Sequence, residues 1–116
     1  MDPNLPVIDL DLGAELLGSD KAAAKKMIKE MAILLIGNLS NLKSAYAEAD
    51  QKKMGDIAHY VYGGSCYCGT PRLKVAARAL EKSIKISGSF AALTPVYQEL
   101  CNEIEAVIAK SIHITE

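Results

Sequence analysis

This chain of 116 residues predicts an all-α fold: an up-down-up-down antiparallel four-helix bundle with a short extra N-terminal helix. Three observations carry the prediction. Apolar residues return every three or four positions along four long stretches, the period of a helix face turned to a core. Alanine, leucine and isoleucine dominate the apolar half of the composition, with five Tyr, one Phe and no Trp, which suits packed helices better than a sheet. Capping side chains, glycines and prolines interrupt the pattern at short intervals, so consecutive helices are joined by short loops and pack antiparallel. The length fits one domain with its own core, and there is no internal repeat or low-complexity segment.

Residues 1–6 read as a linker, because Pro3 and Pro6 disfavour helix in the residue before them. Asp9 caps a short helix over about 9–17, with Ile8, Leu12 and Leu16 on one side. Gly18 ends it, and Ser19 or Asp20 caps the next. This short helix is expected to pack across one end of the bundle. The first long helix covers about 20–49, with Ala24, Met27 or Ile28, Met31, Leu34 or Leu35, Asn38, Leu42, Ala45 and Tyr46 facing inward. Lys25, Lys26, Lys29, Lys43 and Glu48 face solvent, and Gly37 marks either a close contact or a slight bend.

Asp50 caps the central helix, about 51–68, which Gly69 stops. Thr70-Pro71 restarts the chain as a capping hydroxyl followed by proline at the first helical position, giving a helix over about 71–87 with Leu73, Ala76 or Ala77, Leu80 and Ile84 inside. Its Arg72, Lys74, Arg78, Lys82 and Lys85 form a solvated basic face, or else bring one or two cations near the central helix. The last helix covers about 91–112, with Pro95 in its first turn, Thr94 as one candidate cap, and a stripe of Phe90, Leu93, Tyr97, Leu100, Cys101, Ile104, Val107 and Ile108.

The central helix carries the most informative residues. At about 100° per residue, Met54, Ile57, Ala58, Val61, Ser65 and Cys68 fall in one apolar band, while His59, Tyr62, Gly63 and Cys66 fall on the other side. His59 therefore projects into solvent. Helical side chains lean toward the N-terminus, so residue 63 is the one that would crowd the imidazole, and a glycine there leaves it open. Gly63 and Gly64 together cost roughly 2 kcal/mol relative to alanine, which calls for a steric reason. Gly64 lies where a neighbouring helix can approach closely. A neutral imidazole is a nucleophile at pH 7. The pattern places no second acid or base near His59, so the chain reads as a substrate-like carrier and not as a self-sufficient catalyst.

The pattern His59-x-x-x-Gly63-x-Ser65-x-x-x-Gly69, followed by Leu73, Ala77 and Leu80-Glu81, resembles the histidine-containing phosphotransfer (HPt) domain, from about Pro6 to the end. Leu5-Pro6-Val7-Ile8-Asp9 and Cys66-Tyr67-Cys68-Gly69-Thr70-Pro71-Arg72-Leu73 look most like the C-terminal HPt domain of BarA/GacS-type hybrid sensor kinases. The resemblance implies that His59 takes a phosphoryl group from the aspartate of a receiver domain, most readily through Nε2, and passes it to an aspartate of a response regulator. It implies Mg²⁺ on the partner receiver and no cofactor on this chain. It makes Tyr62, Gly63 and Cys66 the neighbours of the phosphate and places receiver docking at Leu12, Leu16 and Leu17. The family usually has Leu and a basic residue two and three positions after the histidine, where this chain has Val61 and Tyr62. Tyr62 removes an expected cation, so phospho-His59 is expected to persist less than in a Tyr62→Lys variant.

Other classes fit less well. Net charge is −1 with both signs interspersed, and no basic block points to nucleic acid or a membrane surface. Three cysteines do not make a secreted disulfide framework, and no signal peptide is evident, so a cytoplasmic setting is expected, with any membrane anchor of a parent kinase outside this chain. The apolar run Met31–Ile36 is too short to span a bilayer. Cys66 and Cys68 point about 160° apart on a helix, which argues against a metal site; Cys68 and Cys101 read as core. His113 suits a helix C-terminus and Ser65 has no adjacent base. A monomer is the default. The alternative to a phosphocarrier is a helical docking or dimerisation module that carries no phosphate.

Overall fold

The structure of the protein, a computed structural model, describes residues 4–86 and 89–114. Its elements are α1 (Leu10–Leu17), α2 (Lys21–Ala47), α3 (Gln51–Cys68), α4 (Pro71–Ile86), a 3-10 turn (Ala91–Leu93) and α5 (Thr94–Ser111). Linker residues 1–3 and the expected stop at Ser87-Gly88 lie outside the described residues. Helices α2 with α3, α3 with α4, α4 with α5 and α5 with α2 pack side by side, closing a ring of four antiparallel rods. At 1.5 Å per residue α2 is about 40 Å long, nearly the full 43 Å long axis of the molecule. Among the described residues no helix is long and apolar enough to cross a membrane.

The core is built from the residues with helical spacing. Ile28, Leu35 and Leu42 of α2, Met54, Ala58 and Val61 of α3, Leu73 and Leu80 of α4, and Leu100, Ile104 and Val107 of α5 are fully buried. Each large apolar side chain so buried contributes roughly 1.5–3 kcal/mol. Of the paired alternatives in the sequence, Ile28 and Leu35 take the core positions, and both Ala76 and Ala77 are buried. At the far end of α2, the Tyr46 ring stacks 3.9 Å from that of Tyr97 and 5.1 Å from that of Phe90.

Three caps are local and direct. Asp9, Asp20 and Asp50 each accept a hydrogen bond from the backbone N–H three residues on, at 3.0, 2.9 and 3.0 Å. Two other expected caps are absent. Thr94 already has helical backbone (φ −54°, ψ −48°), because the 3-10 turn runs straight into α5. A cap needs extended backbone, and the Thr94 hydroxyl instead bonds the Tyr46 hydroxyl at 2.6 Å. The Thr70 hydroxyl is buried and has no hydrogen-bond partner among the described residues. Helix α4 starts on Pro71 without it, since proline at the first position has its φ preset and no N–H to satisfy.

Helix α2 also stops two residues short of the expected boundary. Ala49 takes a left-handed conformation (φ 54°), and Asp50 N–H donates to the Ala45 carbonyl at 2.8 Å while Ala49 N–H donates to Tyr46 at 3.0 Å. This is the six-to-one and five-to-two bonding of a helix end that usually carries glycine. No such signal exists in Glu48-Ala49, both good helix formers.

Candidate functional site

Helix α1 crosses the end of the bundle where α2 begins and α3 ends. Two glycines set how close it comes. A Cβ on Gly13 would lie 3.3 Å from both Ala24 Cβ and the Cys68 carbonyl oxygen. Gly69 has φ +67°, and a Cβ there would collide with the backbone of Asp9 and Gly13. The Asp9 N–H donates to the Gly69 carbonyl at 2.8 Å, tying the start of α1 to the end of α3. Gly69 is thus both the stop of α3 and the seat of α1.

On α3 the two faces separate as the helical period requires. Met54, Ala58, Val61, Ser65 and Cys68 are buried, whereas His59 and Gly63 are exposed and Tyr62 and Cys66 half-buried. The Ser65 hydroxyl donates to the Tyr62 carbonyl at 2.7 Å within its own helix. Burial pushes the Cys68 thiol up to about 11, while Cys66 sits nearer the surface. The two central glycines have different surroundings. A Cβ on Gly64 would come 3.3 Å from Met31 Cε, so Gly64 serves the α2–α3 contact. A Cβ on Gly63 would meet nothing within 4 Å. Among the described residues nothing requires glycine at 63, and a Cβ there would not reach the His59 ring, so the expectation that residue 63 crowds the imidazole holds only for longer side chains.

The imidazole of His59 is 73% exposed, yet it is held. Its Nδ1 lies 2.6 Å from Oε2 of Glu81 on α4, a side chain only 8% exposed. A carboxylate can only accept, so the proton of neutral His59 sits on Nδ1 and the Nε2 lone pair faces outward. This overturns the expectation that no acid or base lies near His59. The bond joins residues 22 positions apart and depends on the register of α3 against α4. Local spacing in α3 does not reveal it.

Glu81 is itself surrounded by cations. Arg78 Nη1 lies 3.7 Å from Oε1 and Lys85 Nζ 3.8 Å from Oε2. Arg78 also stands 5.2 Å above the ring of Tyr62, within cation–π range. Two cations of α4 therefore reach the neighbourhood of His59, the second of the two readings its basic face allows. Arg72 does something else: it donates from Nε (3.2 Å) and Nη2 (2.8 Å) to Glu103, whose side chain is 3% exposed, locking α4 to α5.

Apolar surface lies beside the imidazole and again about one turn along α3 from it. Toward α2, His59, Gly63 and Gly64 border a groove with Leu34, Tyr60 and Tyr67, all three of them exposed. Ile33 and Ile36 of α2 are exposed as well, but they do not line this groove. Their exposure is readable in the sequence: four consecutive apolar residues span about 300° of helix, so once Leu35 faces the core its neighbours cannot. Toward α4, Leu12 and Leu16 share a second groove with Tyr62; Leu17 does not line it. Among the described residues no cluster of three or more His, Cys, Asp or Glu side chains could hold a metal ion.

Comparison with known proteins places this geometry. A family profile described as "Hpt domain" matches residues 26–110. The chain is 31% identical over 81 residues to the sensor histidine kinase GacS of Pseudomonas protegens, an alignment that takes in 70% of this chain and 9% of that protein. The chain thus spans less than a tenth of that relative. The fold is similar to the crystal structure of the HPT domain from a hybrid histidine kinase of Shewanella, with a TM-score of 0.85 at 24% identity, covering 95% of this chain and 94% of that one.

Proposed function

The chain belongs to the Hpt domain family, and on that premise we propose that it is a phosphorelay carrier of two-component signalling, with His59 as the acceptor. The observation that carries the reading is the His59–Glu81 bond. It presents an outward Nε2 lone pair on an exposed ring, beside a glycine that the fold itself does not need. In the transfer, Nε2 attacks the phosphorus of a receiver aspartyl phosphate. The N–P bond forms as the P–O bond to the aspartate breaks, and the aspartate leaves as carboxylate. The reverse sequence on a second receiver returns the phosphoryl group to an aspartate.

The chain's own part is to orient the ring, leave room and offer a surface. Phosphoryl transfer asks chiefly for alignment and for cations at the phosphate; the Mg²⁺ is supplied by the receiver. Tyr62, Gly63 and Cys66 border the phosphate, and Arg78 and Lys85 stand one carboxylate away. Receivers dock around His59, over Leu34, Tyr60 and Tyr67 on one side and Leu12 and Leu16 of α1 on the other; Leu17, which does not line that groove, is left out of the contact. The domain acts as a monomer in the cytoplasm, as part of a signalling kinase or beside one.

Incubation with a radiolabelled, phosphorylated receiver domain tests this. Wild type takes up acid-labile, base-stable label and His59→Gln takes up none. If wild type stays unlabelled with every receiver tried, the chain is a docking module that carries no phosphate.

A further inference from the structure

The groove on the α4 side of Tyr62 has a chemistry of its own. It encloses about 620 Å³ between α1, α3 and α4. Its floor is apolar, from Leu12, Leu16, Tyr62 and Val75. Leu16 and Val75 are large apolar side chains left exposed there. One edge is a row of cations: Lys74, Arg78 and Lys82 stand four residues apart on α4, a line about 12 Å long. Among the described residues no Asp or Glu lines the groove. Thr70, 1% exposed, is part of the same lining, and its hydroxyl has no hydrogen-bond partner among the described residues.

We propose that this groove seats an amphipathic helix of a partner protein, with apolar residues on the inner face and carboxylates along one edge. The floor fits an apolar helix face laid between two rods, and the cation row selects the opposite charge. The row also selects for a helix over a single-headed anion such as a fatty acid. One carboxylate satisfies one of the three cations, whereas carboxylates four apart on a helix repeat at the same rise as Lys74, Arg78 and Lys82. Occupancy is felt at the imidazole: Arg78 lines the groove, covers Tyr62 and lies 3.7 Å from Glu81, which holds His59. A partner carboxylate on Arg78 competes with Glu81 for it. The inference deepens the docking reading above and rests on it only in taking Leu12 and Leu16 as partner-facing.

The test uses three probes titrated into the ¹⁵N-labelled protein. Two are 18-residue helical peptides with Leu on one face, one carrying Glu and the other Lys at every fourth position along the adjacent edge; the third is sodium decanoate. The Glu peptide is expected to bind saturably, shifting the amides of Leu12, Leu16, Thr70 and Val75, with the His59 ring signals following the same curve. Its affinity is expected to fall at least tenfold in a Lys74→Glu/Lys82→Glu variant whose circular dichroism and melting temperature match wild type. Equal binding of the two peptides, shifts confined to Leu34 and Tyr60, or no saturation overturns the proposal. Tighter binding of decanoate than of the Glu peptide at these amides also overturns it, in favour of an anionic amphiphile. Still ring signals at His59 overturn the coupling. Label uptake by His59 is scored separately. Uptake without peptide binding removes the groove proposal alone, and peptide binding without uptake removes the carrier reading alone.

Discussion

Nδ1 of His59 and Oε2 of Glu81 are 2.6 Å apart, across the interface of α3 and α4. The acid is buried and the imidazole exposed. The bond therefore anchors one side of a ring whose other side faces solvent, and fixes which nitrogen is free to react. Replacing Glu81 with alanine is expected to lower the rate of phosphoryl uptake by about tenfold, equivalent to roughly 1.4 kcal/mol. Glu81→Gln is expected to restore most of it, because an amide oxygen accepts the same bond. Nitrogen NMR of the ring supplies a second readout: the Nε2-protonated tautomer should appear in Glu81→Ala only. An unchanged tautomer in that variant would remove Glu81 from the role of positioning residue.

Gly63 should be more useful to a partner than to the fold. Since its Cβ position is open, Gly63→Ala is expected to stabilise the domain by about 1 kcal/mol, seen as a higher midpoint in urea. Gly63→Gln, still folded, is expected to cut phosphoryl uptake more than tenfold, because the longer side chain stands between His59 and a docked receiver. Undiminished uptake in Gly63→Gln would show that the space is not used.

Ala49 holds a left-handed conformation at the end of α2. An alanine there costs about 1 kcal/mol relative to glycine, so Ala49→Gly is expected to raise stability by about that amount. Chemical denaturation that shows a loss instead would mean that α2 continues through this position in solution.

The Arg72–Glu103 pair should matter more to stability than any surface pair. Glu103 is buried, and its Oε1 has no hydrogen-bond partner among the described residues. Arg72→Ala leaves that carboxylate without its cation and is expected to cost about 3 kcal/mol. Replacing both residues, Arg72→Met with Glu103→Leu, is expected to recover most of the loss, since no charge is then left inside. Melting curves of the single and double variants decide it.

The three thiols should separate by reactivity. Burial pushes Cys68 up to about 11 and raises Cys101 as well, and thiolate is the reactive form. A thiol reagent at pH 8 is expected to label Cys66 first and the other two only on unfolding. Mass spectrometry of the native protein showing Cys68 modified as fast as Cys66 would contradict the depth assigned to it.

What could be read in the chain before folding follows from where each signal lies. The caps at Asp9, Asp20 and Asp50 act on amides three residues away, so a short stretch contains the whole interaction. The outward direction of His59 follows from the period of a single helix. Glu81 was visible only as one member of a motif. Its bond to His59 needs the sliding position of α3 against α4, which the core packing sets. Gly13 was likewise silent, since its neighbours Ala24 and Cys68 come from two other helices. Thr70 and Thr94 look like caps in sequence and fail for different reasons. Thr94 is already inside a helical turn, and the Thr70 hydroxyl is unbonded beneath the groove.

Because the imidazole is gripped from a neighbouring rod, its readiness to react is a gauge of alignment between two helices. A slip of α4 by a single residue would move Glu81 by about 1.5 Å, enough to part it from the ring. Substitutions deep inside, at Leu73 or Leu80, far from any phosphate, should then surface first as altered histidine chemistry and only afterwards as unfolding.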